Sequence, residues 1–358
     1  MMKPLYIQGV GIISPQKTYD NSHFLDDVVG LETNYLKCQD PNYKEFISGD
    51  MVRRMSRIIK MGVAAGKICL TDAAGAGPLM PDAIITGTGL GCVEDTEKFL
   101  SNMIRNNEEF LTPTSFIQST HNTVSAQIAL LLKCHNYNFT YVHRGFSFES
   151  ALLNSLVRIG SGESETVLLG SMDEMTANTF TILQRLGQYK RKPVNNLSLF
   201  REKSRGAIAG EGAAFFFVAA NPGGKNYARI VSLDTFYKPG NGETVPRITE
   251  FLARNGKSVN DIDLVILGLN GDPANDRVYE DVRNNLFAGQ AQAVYKHLCG
   301  EYQTASAFGL WLAAMILKTG QVPGSVQLPG KVPGTVRNIL LYNHYQDLDH
   351  SLMLLSPV

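Results

Sequence analysis

The chain has 358 residues, of which 44% are hydrophobic and 18% are charged, so it is long enough for one large domain or two fused ones. Lys+Arg and Asp+Glu both total 33, so the protein lacks the excess positive charge that attracts nucleic acid or an anionic membrane surface. No apolar run approaches the length of a membrane span, and the first residues run into a strand-like segment without the features of a signal peptide. We therefore expect a cytoplasmic protein.

The cysteines are few, scattered and odd in number: Cys38, Cys69, Cys92, Cys134 and Cys299. None of their spacings is CxxC, which argues against a zinc site or a disulfide framework. The sequence predicts buried, reduced thiols, and Cys299 in particular is expected to pack as a small hydrophobic residue.

Apolar, β-rich runs alternate with longer helical patterns, which predicts an α/β protein with a covered, mostly parallel sheet. The predicted strands span residues 5–13, 83–87, 139–143, 166–170, 213–218, 228–235, 263–268, 338–342 and 351–355. The predicted helices span residues 51–72, 93–106, 122–132, 148–160, 243–255 and 306–318. Asp50 is the expected N-cap of the first helix.

Residues 221–225 (NPGGK) supply four turn-forming residues after a strongly apolar strand and are the best internal break. They divide the chain into an N-terminal half, residues 1–220, and a C-terminal half, residues 226–358. Strands and helices follow one another similarly in both halves. We expect the two halves to pack into one cooperative body.

Five motifs occur in an order that resembles the β-ketoacyl synthase family. Residues 138–150 (NFTYVHRGFSFES) read as strand, tight turn and helix, similar to that family's nucleophile elbow. The others are residues 7–15 (IQGVGIISP), 82–91 (DAIITGTGLG), 162–173 (GESETVLLGSMD) and 204–214 (SRGAIAGEGAA). The resemblance implies a thiolase-like fold, in which two similar α/β halves stack as a layered αβαβα core.

The elbow of active family members carries a cysteine at a helix N-terminus, where it accepts the acyl chain. The matching position here is Gly145, and no cysteine lies within ten residues of it. Ser147 lies two residues further on, and a serine there is more often a helix N-cap than a nucleophile. His143 and Arg144 beside the elbow are candidates for contacts at a subunit interface.

Two histidines normally stabilise the enolate formed in the condensation. Asn270 stands at the first of these positions and Glu301 at the second, where Lys296 of the family pattern is retained. Asparagine cannot carry a proton, and a carboxylate would repel the malonyl carboxylate and its enolate. We expect Lys296 to neutralise Glu301 as a structural pair, and we expect no catalytic residue in this chain.

The C-terminal stretch 343–350 (NHYQDLDH) replaces a glycine-rich loop of active members and places Tyr345 at the gating aromatic position. Without glycine, its backbone has less access to the left-handed region, so the loop should be stiffer or differently arranged. His344 and His350, together with Asp347 and Asp349, are interpreted as exposed polar residues of this loop and not as a metal site.

Residues 87–91 (GTGLG) lack the full spacing and the acidic partner of a dinucleotide-binding motif. The sequence therefore predicts no cofactor, and no metal is expected.

A ketosynthase scaffold without its cysteine and histidines is similar to the chain-length factors that pair with active ketosynthases. This resemblance implies a non-condensing partner subunit in fatty acid, polyketide or aryl-polyene biosynthesis, which acyl carrier protein also contacts. Strand 139–143 is the expected dimer edge, and segment 111–125 is expected to reach the boundary. Phe116 and Ile117 of that segment are, with Ser147 and Tyr345, the candidates for contacting an acyl chain.

Two alternatives stay open. The chain is an acyltransferase or thioesterase with altered chemistry that uses Ser147 or Glu301, or it is a structural homodimer that binds an acyl chain or nothing.

Overall fold

The computed structural model describes residues 3–22, 24–74, 79–111 and 113–358. Its strands are β1 (Leu5–Ile13), β2 (Glu32–Thr33), β3 (Tyr35–Leu36), β4 (Ala83–Gly87), β5 (Tyr137–Tyr141), β6 (Thr166–Asp173), β7 (Val194–Asn195), β8 (Ala209–Gly210), β9 (Gly212–Ala219), β10 (Ala228–Tyr237), β11 (Leu264–Leu267), β12 (Ala291–Val294), β13 (Ile339–Tyr345) and β14 (Asp349–Ser356). Its α-helices are α1 (Gly49–Val52), α2 (Arg57–Ala74), α3 (Val93–Arg105), α4 (Pro113–Gln118), α5 (Thr123–Leu132), α6 (Ser147–Ser161), α7 (Ala177–Arg185), α8 (Thr244–Arg254), α9 (Pro273–Asn285), α10 (Lys296–Cys299) and α11 (Ser306–Thr319).

The main sheet has the strand order β12-β11-β13-β14-β10-β1-β9-β6-β4-β5. The five strands of each half follow the same order when they are read from the outer edge of the sheet towards its middle. In terms of their order along the chain within that half, they are the third, second, fourth, fifth and first strands. The halves meet where β1 and β10 pair in an antiparallel register. The repeated topology confirms two similar α/β halves, which residue identity alone did not reveal.

The prediction of a mostly parallel sheet is wrong for the strands nearest the middle. β4 pairs in parallel with β5 and β6, and β11 pairs in parallel with β12 and β13. The pairings β1–β9, β1–β10, β6–β9, β10–β14 and β13–β14 are antiparallel. A tight hairpin joins β13 to β14, and such a short connection requires the chain to reverse direction.

Helices form the other layers. α6 packs against β4, β5, β6 and β10, and α11 packs against strands of both halves, so these two helices lie in the central layer. Residues 306–316 of α11 are all buried, as expected for a helix that is apolar on every side. α2 and α5 share buried residues with the outer face of the first half, and α8 and α9 do so with β11, β13 and β14. The result is the expected αβαβα arrangement.

Two predicted boundaries differ from the structure. The helix predicted at 51–72 is in fact α1 and α2, separated by a turn at residues 53–56 that brings Met55 into the core, and Ser48, not Asp50, occupies the N-cap position of α1. β5 begins and ends two residues earlier than predicted, because residues 143–146 form the turn before α6. The other predicted strands and helices overlap the observed ones.

All five cysteines are buried and free, as predicted. Within the described ranges, no helix combines the length and the apolar character that crossing a bilayer requires.

Candidate functional site

The elbow lies between β5 and α6, in the central layer. A 3-10 turn, Arg144–Phe146, joins them, and Arg144 takes a left-handed backbone conformation with φ of 48°. Arg144 and His143 are exposed, whereas Gly145 and Phe146 are buried. The strand-turn-helix pattern of the sequence therefore does place Gly145 in the turn that leads into α6, where it is buried.

Gly145 has no room for a side chain. A Cβ atom at this position would lie 2.5 Å from the Tyr345 Cβ and 2.8 Å from Asp349 Oδ2. Real Cβ atoms do not approach other atoms that closely, so a cysteine here requires the β13–β14 hairpin to shift. Residues of the opposite half thus fill the space that a side chain at position 145 would need.

The backbone N–H of Gly145 is also occupied, because the Asp349 carboxylate accepts its hydrogen bond. Burial raises the pKa of Asp349, and this hydrogen bond together with the nearby His143 and Arg144 opposes that rise. An N–H at a helix start is the type of donor that stabilises an oxyanion in acyl transfer. In this structure the Gly145 N–H already donates to the Asp349 carboxylate.

Ser147 is not the N-cap that the sequence predicts; it is the first residue of α6, and Phe146 precedes it. Its hydroxyl is fully buried, accepts the His143 N–H at 2.8 Å and donates to the Arg144 carbonyl at 2.7 Å. The side chain therefore fastens the turn that forms the elbow.

Lys296 and Glu301 form a buried ion pair. Lys296 Nζ lies 3.0 and 2.8 Å from the two Glu301 oxygens, and the side chains are 1% and 8% exposed. Asn270 Nδ2 donates to Glu301 Oε2 at 2.6 Å. The structure thus brings Asn270, Lys296 and Glu301 together, and the expected neutralisation of Glu301 by Lys296 is present.

Asn270 is held on both sides. Asp276 accepts the backbone N–H groups of Asn270 and Gly271, each at 2.9 Å, and Asn270 Oδ1 accepts the Asp272 N–H at 3.0 Å. Burial raises the pKa of Asp276 to about 6, although these hydrogen bonds oppose the rise. Asn270 acts as a connector between a loop and the ion pair, and none of its groups takes up a proton.

The interpretation of His344 and His350 as exposed loop residues is wrong, because both are buried in the β13–β14 hairpin. His344 Nε2 bonds to the Asn275 carbonyl at 3.0 Å while its Nδ1 accepts the Asp347 N–H at 3.0 Å. His350 Nδ1 bonds to the Tyr342 hydroxyl at 2.9 Å. Burial lowers the pKa of both imidazoles, that of His350 to about 4.

These histidines pack as aromatic rings, and their polar residue type misled the sequence interpretation. Across the described part of the chain, no group of three or more His, Cys, Asp or Glu side chains is arranged to hold a metal ion.

The hairpin turn also differs from expectation in its backbone. Gln346 and Asp347 both adopt left-handed φ values, 55° and 53°, although neither is glycine. The bond between the Asp347 N–H and His344 helps to hold this turn. The turn fixes Tyr345 opposite Asp349, so the stretch is arranged differently from a mobile glycine-rich loop.

A small cavity of about 190 Å³ opens beside the ion pair and is lined in part by Tyr189, Asn270, Glu301 and Tyr345. Pockets that hold small-molecule ligands typically enclose about 300–1,000 Å³. The remaining space is therefore too small for an extended acyl chain.

The four candidate acyl-contacting residues do not form one buried pocket. Phe116 and Ile117 are 57% and 62% exposed on α4, where Phe116 contacts Phe99. Ser147 and Tyr345 are buried at the elbow. Any role of Phe116 and Ile117 in lining a tunnel therefore needs another chain to cover them.

Sequence reasoning missed two carboxylates. The sequence pattern indicates only a loop residue at Asp349, whereas its carboxylate accepts the Gly145 N–H. Asp173 is buried at the end of β6 and joins the halves: its oxygens accept bonds from Thr88, the Gly89 N–H, and the N–H and hydroxyl of Thr304. An acidic residue ending an otherwise buried strand was the available signal for Asp173.

The glycines of segment 204–214 allow close packing, as expected. A Cβ at Gly210 would lie 2.1 Å from the Cys299 carbonyl oxygen and 2.7 Å from the Gly300 Cα. This contact places β8 directly against the end of α10, which carries Lys296.

Glu149, in the first turn of α6, is expected to make the stability of the protein depend on pH. It is 1% exposed, Oε1 accepts the Ser351 hydroxyl at 2.9 Å, and burial raises its pKa to about 7. The folded state therefore holds this proton more tightly than the unfolded state, so the stabilisation is complete below the unfolded pKa near 4.3 and is lost as pH rises to about 7.

We expect Glu149→Gln to raise the free energy of unfolding at pH 8 by about 2–3 kcal/mol and to have less effect at pH 5. Urea unfolding at both pH values measures the difference, with the exposed Glu109→Gln as control. An equal effect at both pH values would contradict the prediction.

The fold and this site define a ketosynthase-like protein of the thiolase fold. The family model for the N-terminal domain of β-ketoacyl synthases matches residues 12–221, so the chain belongs to the β-ketoacyl synthase family. No curated protein matches the chain by sequence.

Solved structures show the same fold over the whole chain. One described as the ishigamide ketosynthase/chain length factor aligns with a TM-score of 0.82 and 18% identity, covering 100% of both chains. A complex of the ketosynthase ApeO with its chain length factor ApeC from Xenorhabdus doucetiae gives 0.79 and 14%, covering 99% of this chain and 98% of that one. A type II polyketide synthase acyl-carrier protein in complex with its ketosynthase (AntDE:AntF) gives 0.76 and 15%, covering 100% of both.

Proposed function

We propose that this chain is a non-condensing, chain-length-factor-type subunit that pairs with an active ketosynthase. The observation that carries the proposal is the occupied elbow. Gly145 supplies no nucleophile, Tyr345 and Asp349 fill the space a nucleophile needs, and Asp349 accepts the N–H that would bind an oxyanion. A family member so built retains the scaffold and loses the acyl-accepting step.

The second support is the buried ion pair. Condensation needs neutral or cationic donors where negative charge develops on the enolate. Glu301 brings a carboxylate to that position, where Lys296 and Asn270 both donate hydrogen bonds to it.

The altered-chemistry alternative has less support. The Ser147 hydroxyl is buried and bonds to two backbone groups, so no side chain acts as its general base. Glu301 is engaged by Lys296 and Asn270. An acyltransferase or thioesterase mechanism would have to break one of these arrangements first.

The proposed partner surface follows β5 and the two helices that each pack against it, α5 and α6. β5 is an edge strand of the main sheet, and such edges are usually covered. Exposed apolar side chains continue along these elements: Leu130, Phe139, Val142, Leu153 and Val157. We name these five residues the edge patch.

Exposed apolar side chains grouped on neighbouring elements are typical of protein interfaces. The chain length factor in the ApeO–ApeC structure is bound to its ketosynthase, and we infer the same type of partner here. The carrier protein bound to the ketosynthase in the AntDE:AntF structure supports acyl carrier protein as a further partner. We assign the pair to fatty acid, polyketide or aryl-polyene biosynthesis, and the structural-homodimer alternative predicts self-association through the same edge patch.

The test is acyl transfer followed by co-purification. The chain is incubated with radiolabelled acyl carrier protein, alone and with an intact ketosynthase from the same organism. We expect label on the ketosynthase and none on this chain. Covalent label on this chain alone would overturn the proposal.

We expect Val157→Glu to abolish co-purification with the ketosynthase, because a charge in the centre of an apolar interface stays unpaired on binding. Val157 is 51% exposed on α6, so the variant should fold normally. Val332→Glu, at a 78% exposed position outside the edge patch, is the matched control and should still bind. Retained binding by Val157→Glu would place the partner elsewhere, and a stable homodimer with no ketosynthase binding would favour the structural alternative.

A further inference from the structure

The segment from residue 185 to residue 205 concentrates positive charge on a chain whose 33 basic and 33 acidic residues otherwise balance. It contains seven Lys and Arg residues and a single acidic residue, Glu202. Six of these cations are exposed: Arg185, Arg191, Lys192, Arg201, Lys203 and Arg205. Within the described parts of the chain, none of the six forms an ion pair. An unpaired cluster of one sign attracts a partner of the opposite charge.

Contacts at the neck of this segment bring most of these cations together. The buried Lys190 Nζ donates to the Ser204 carbonyl at 2.8 Å and to the Gly271 carbonyl at 3.0 Å. Gln184 Nε2, near the end of α7, donates to the Lys190 carbonyl at 2.9 Å. The exposed cations that adjoin these residues in sequence therefore lie around one neck, and we name them the cationic rim: Arg185, Arg191, Lys192, Lys203 and Arg205.

Two apolar side chains are exposed beside the cationic rim. Ile182 and Leu186, at the C-terminal end of α7, are 57% and 63% exposed. The Leu186 N–H bonds to the Ile182 carbonyl at 3.0 Å, so the helical turn continues and both side chains lie on one face. A Cβ on Gly187 would lie 3.0 Å from Arg205 Cζ, which places this guanidinium against the same helix end. An apolar centre with a charged surround is typical of a protein interface.

This surface borders the small cavity of about 190 Å³, because Leu186 and Arg205 line that cavity together with Glu301. Pockets that hold small-molecule ligands typically enclose about 300–1,000 Å³, so the cavity is too small for an extended arm attached to a docked protein. Glu301 in its wall is already bonded to Lys296 and Asn270. Docking at this place therefore depends on surface contacts alone.

We propose that Ile182, Leu186 and the cationic rim dock the acyl carrier protein through an acidic face, without insertion of its phosphopantetheine arm. The identity of this partner rests on the proposed function, and the mode of binding rests on the surface. Carboxylates of the partner contact the rim, and its apolar side chains cover Ile182 and Leu186. The non-condensing subunit then holds the carrier at a place where no acyl group is transferred.

Calorimetric titration of the full chain with acyl carrier protein tests the proposal. We expect 1:1 binding that is equally strong for the carrier with and without its phosphopantetheine arm. The affinity should fall about tenfold or more when NaCl rises from about 0.05 M to about 0.5 M, because salt screens the charges.

Arg191→Glu/Lys192→Glu should weaken binding by about a hundredfold, because each reversal replaces an attraction with a repulsion. Leu186→Ser should weaken it by about tenfold through lost apolar contact. Lys331→Glu/Arg337→Glu reverses two exposed cations outside the cationic rim and is the matched control, which should bind like the wild type.

Four outcomes overturn the proposal. They are no binding of the carrier by this chain, unchanged affinity in Arg191→Glu/Lys192→Glu, loss of binding when the arm is absent, and equal affinity for a single-stranded oligonucleotide, which would assign the cationic rim to nucleic acid. Failure here leaves the proposed ketosynthase pairing untouched, because co-purification of the Val157→Glu variant tests that pairing at the edge patch.

Discussion

Restoring a cysteine at the elbow is expected to destabilise the protein without creating a condensing enzyme. Gly145→Cys forces a Cβ to within 2.5 Å of the Tyr345 Cβ and 2.8 Å of Asp349 Oδ2. Overpacking of this kind costs about 1–3 kcal/mol. We expect a lower free energy of unfolding by urea and no transfer of a labelled acyl group from acyl carrier protein.

The matched control is Gly160→Cys, in the same helix. Its Cβ would meet no atom within 4 Å, so this variant should lose no stability and should react with a thiol reagent. Tyr345→Gly is itself destabilising because Tyr345 is buried, but it removes one of the two close contacts, so the loss in the Gly145→Cys/Tyr345→Gly double variant should be smaller than the sum of the two single losses. A Gly145→Cys protein that unfolds like the wild type and accepts the acyl group would refute the occupied-elbow account.

Removing the cation of the buried pair is expected to have the largest effect on stability. Lys296→Met leaves Glu301 buried with only Asn270 as a partner, and an uncompensated buried charge costs about 3–5 kcal/mol. The double variant Lys296→Met/Glu301→Gln should regain most of this loss, because a neutral amide oxygen still accepts from Asn270. Urea unfolding of Lys296→Met, Glu301→Gln and the double variant completes a double-mutant cycle and gives the interaction free energy of the pair.

The exposed pair Lys98–Glu94, with side chains 55% and 39% exposed, is the control. Lys98→Met should change the free energy of unfolding by no more than about 0.5 kcal/mol, since solvent screens exposed pairs. A loss in the free energy of unfolding for Lys296→Met no larger than that for Lys98→Met would contradict the prediction. Glu301 would then not need Lys296 for its stabilisation, and the ion pair would no longer support a non-condensing subunit.

The two predictions address different positions of the site. Gly145 concerns where the acyl group would attach, and Glu301 concerns where charge would develop during condensation. Changing both to the residues of active members still leaves Asn270 at the third candidate position, hydrogen-bonded to residue 301 in the present structure. Under the proposed function, the loss of condensing chemistry is distributed over several residues that contact one another.

The sequence predicted the bounds of those strands whose hydrophobic pattern lies within one continuous segment. The bounds of β1 and β4 match the prediction because each is a short apolar run closed by turn residues. The helix predicted at 51–72 failed because its interruption places Met55 in the core, which is a tertiary contact. The predicted parallel direction of the central strands was wrong for a similar reason, since the pairing of two strands is not determined by either segment alone.

The residues of the site divide in the same way. Lys296 and Glu301 are five positions apart, so their pairing was accessible from the sequence. His344 and His350 were judged from their polarity, whereas stacking on aromatic neighbours such as Tyr279 and Phe236 buries them. Asp349 meets Gly145 only because the hairpin of one half reaches the elbow of the other.

What the sequence by itself determined is the family scaffold, together with the candidate residues for its three functional positions, because ordered motifs and residue types are visible without coordinates. Only the tertiary structure decided that those positions are filled and bonded. Contacts between residues about two hundred positions apart depend on how the two halves stack, and no local pattern of hydrophobicity or turn chemistry specifies that.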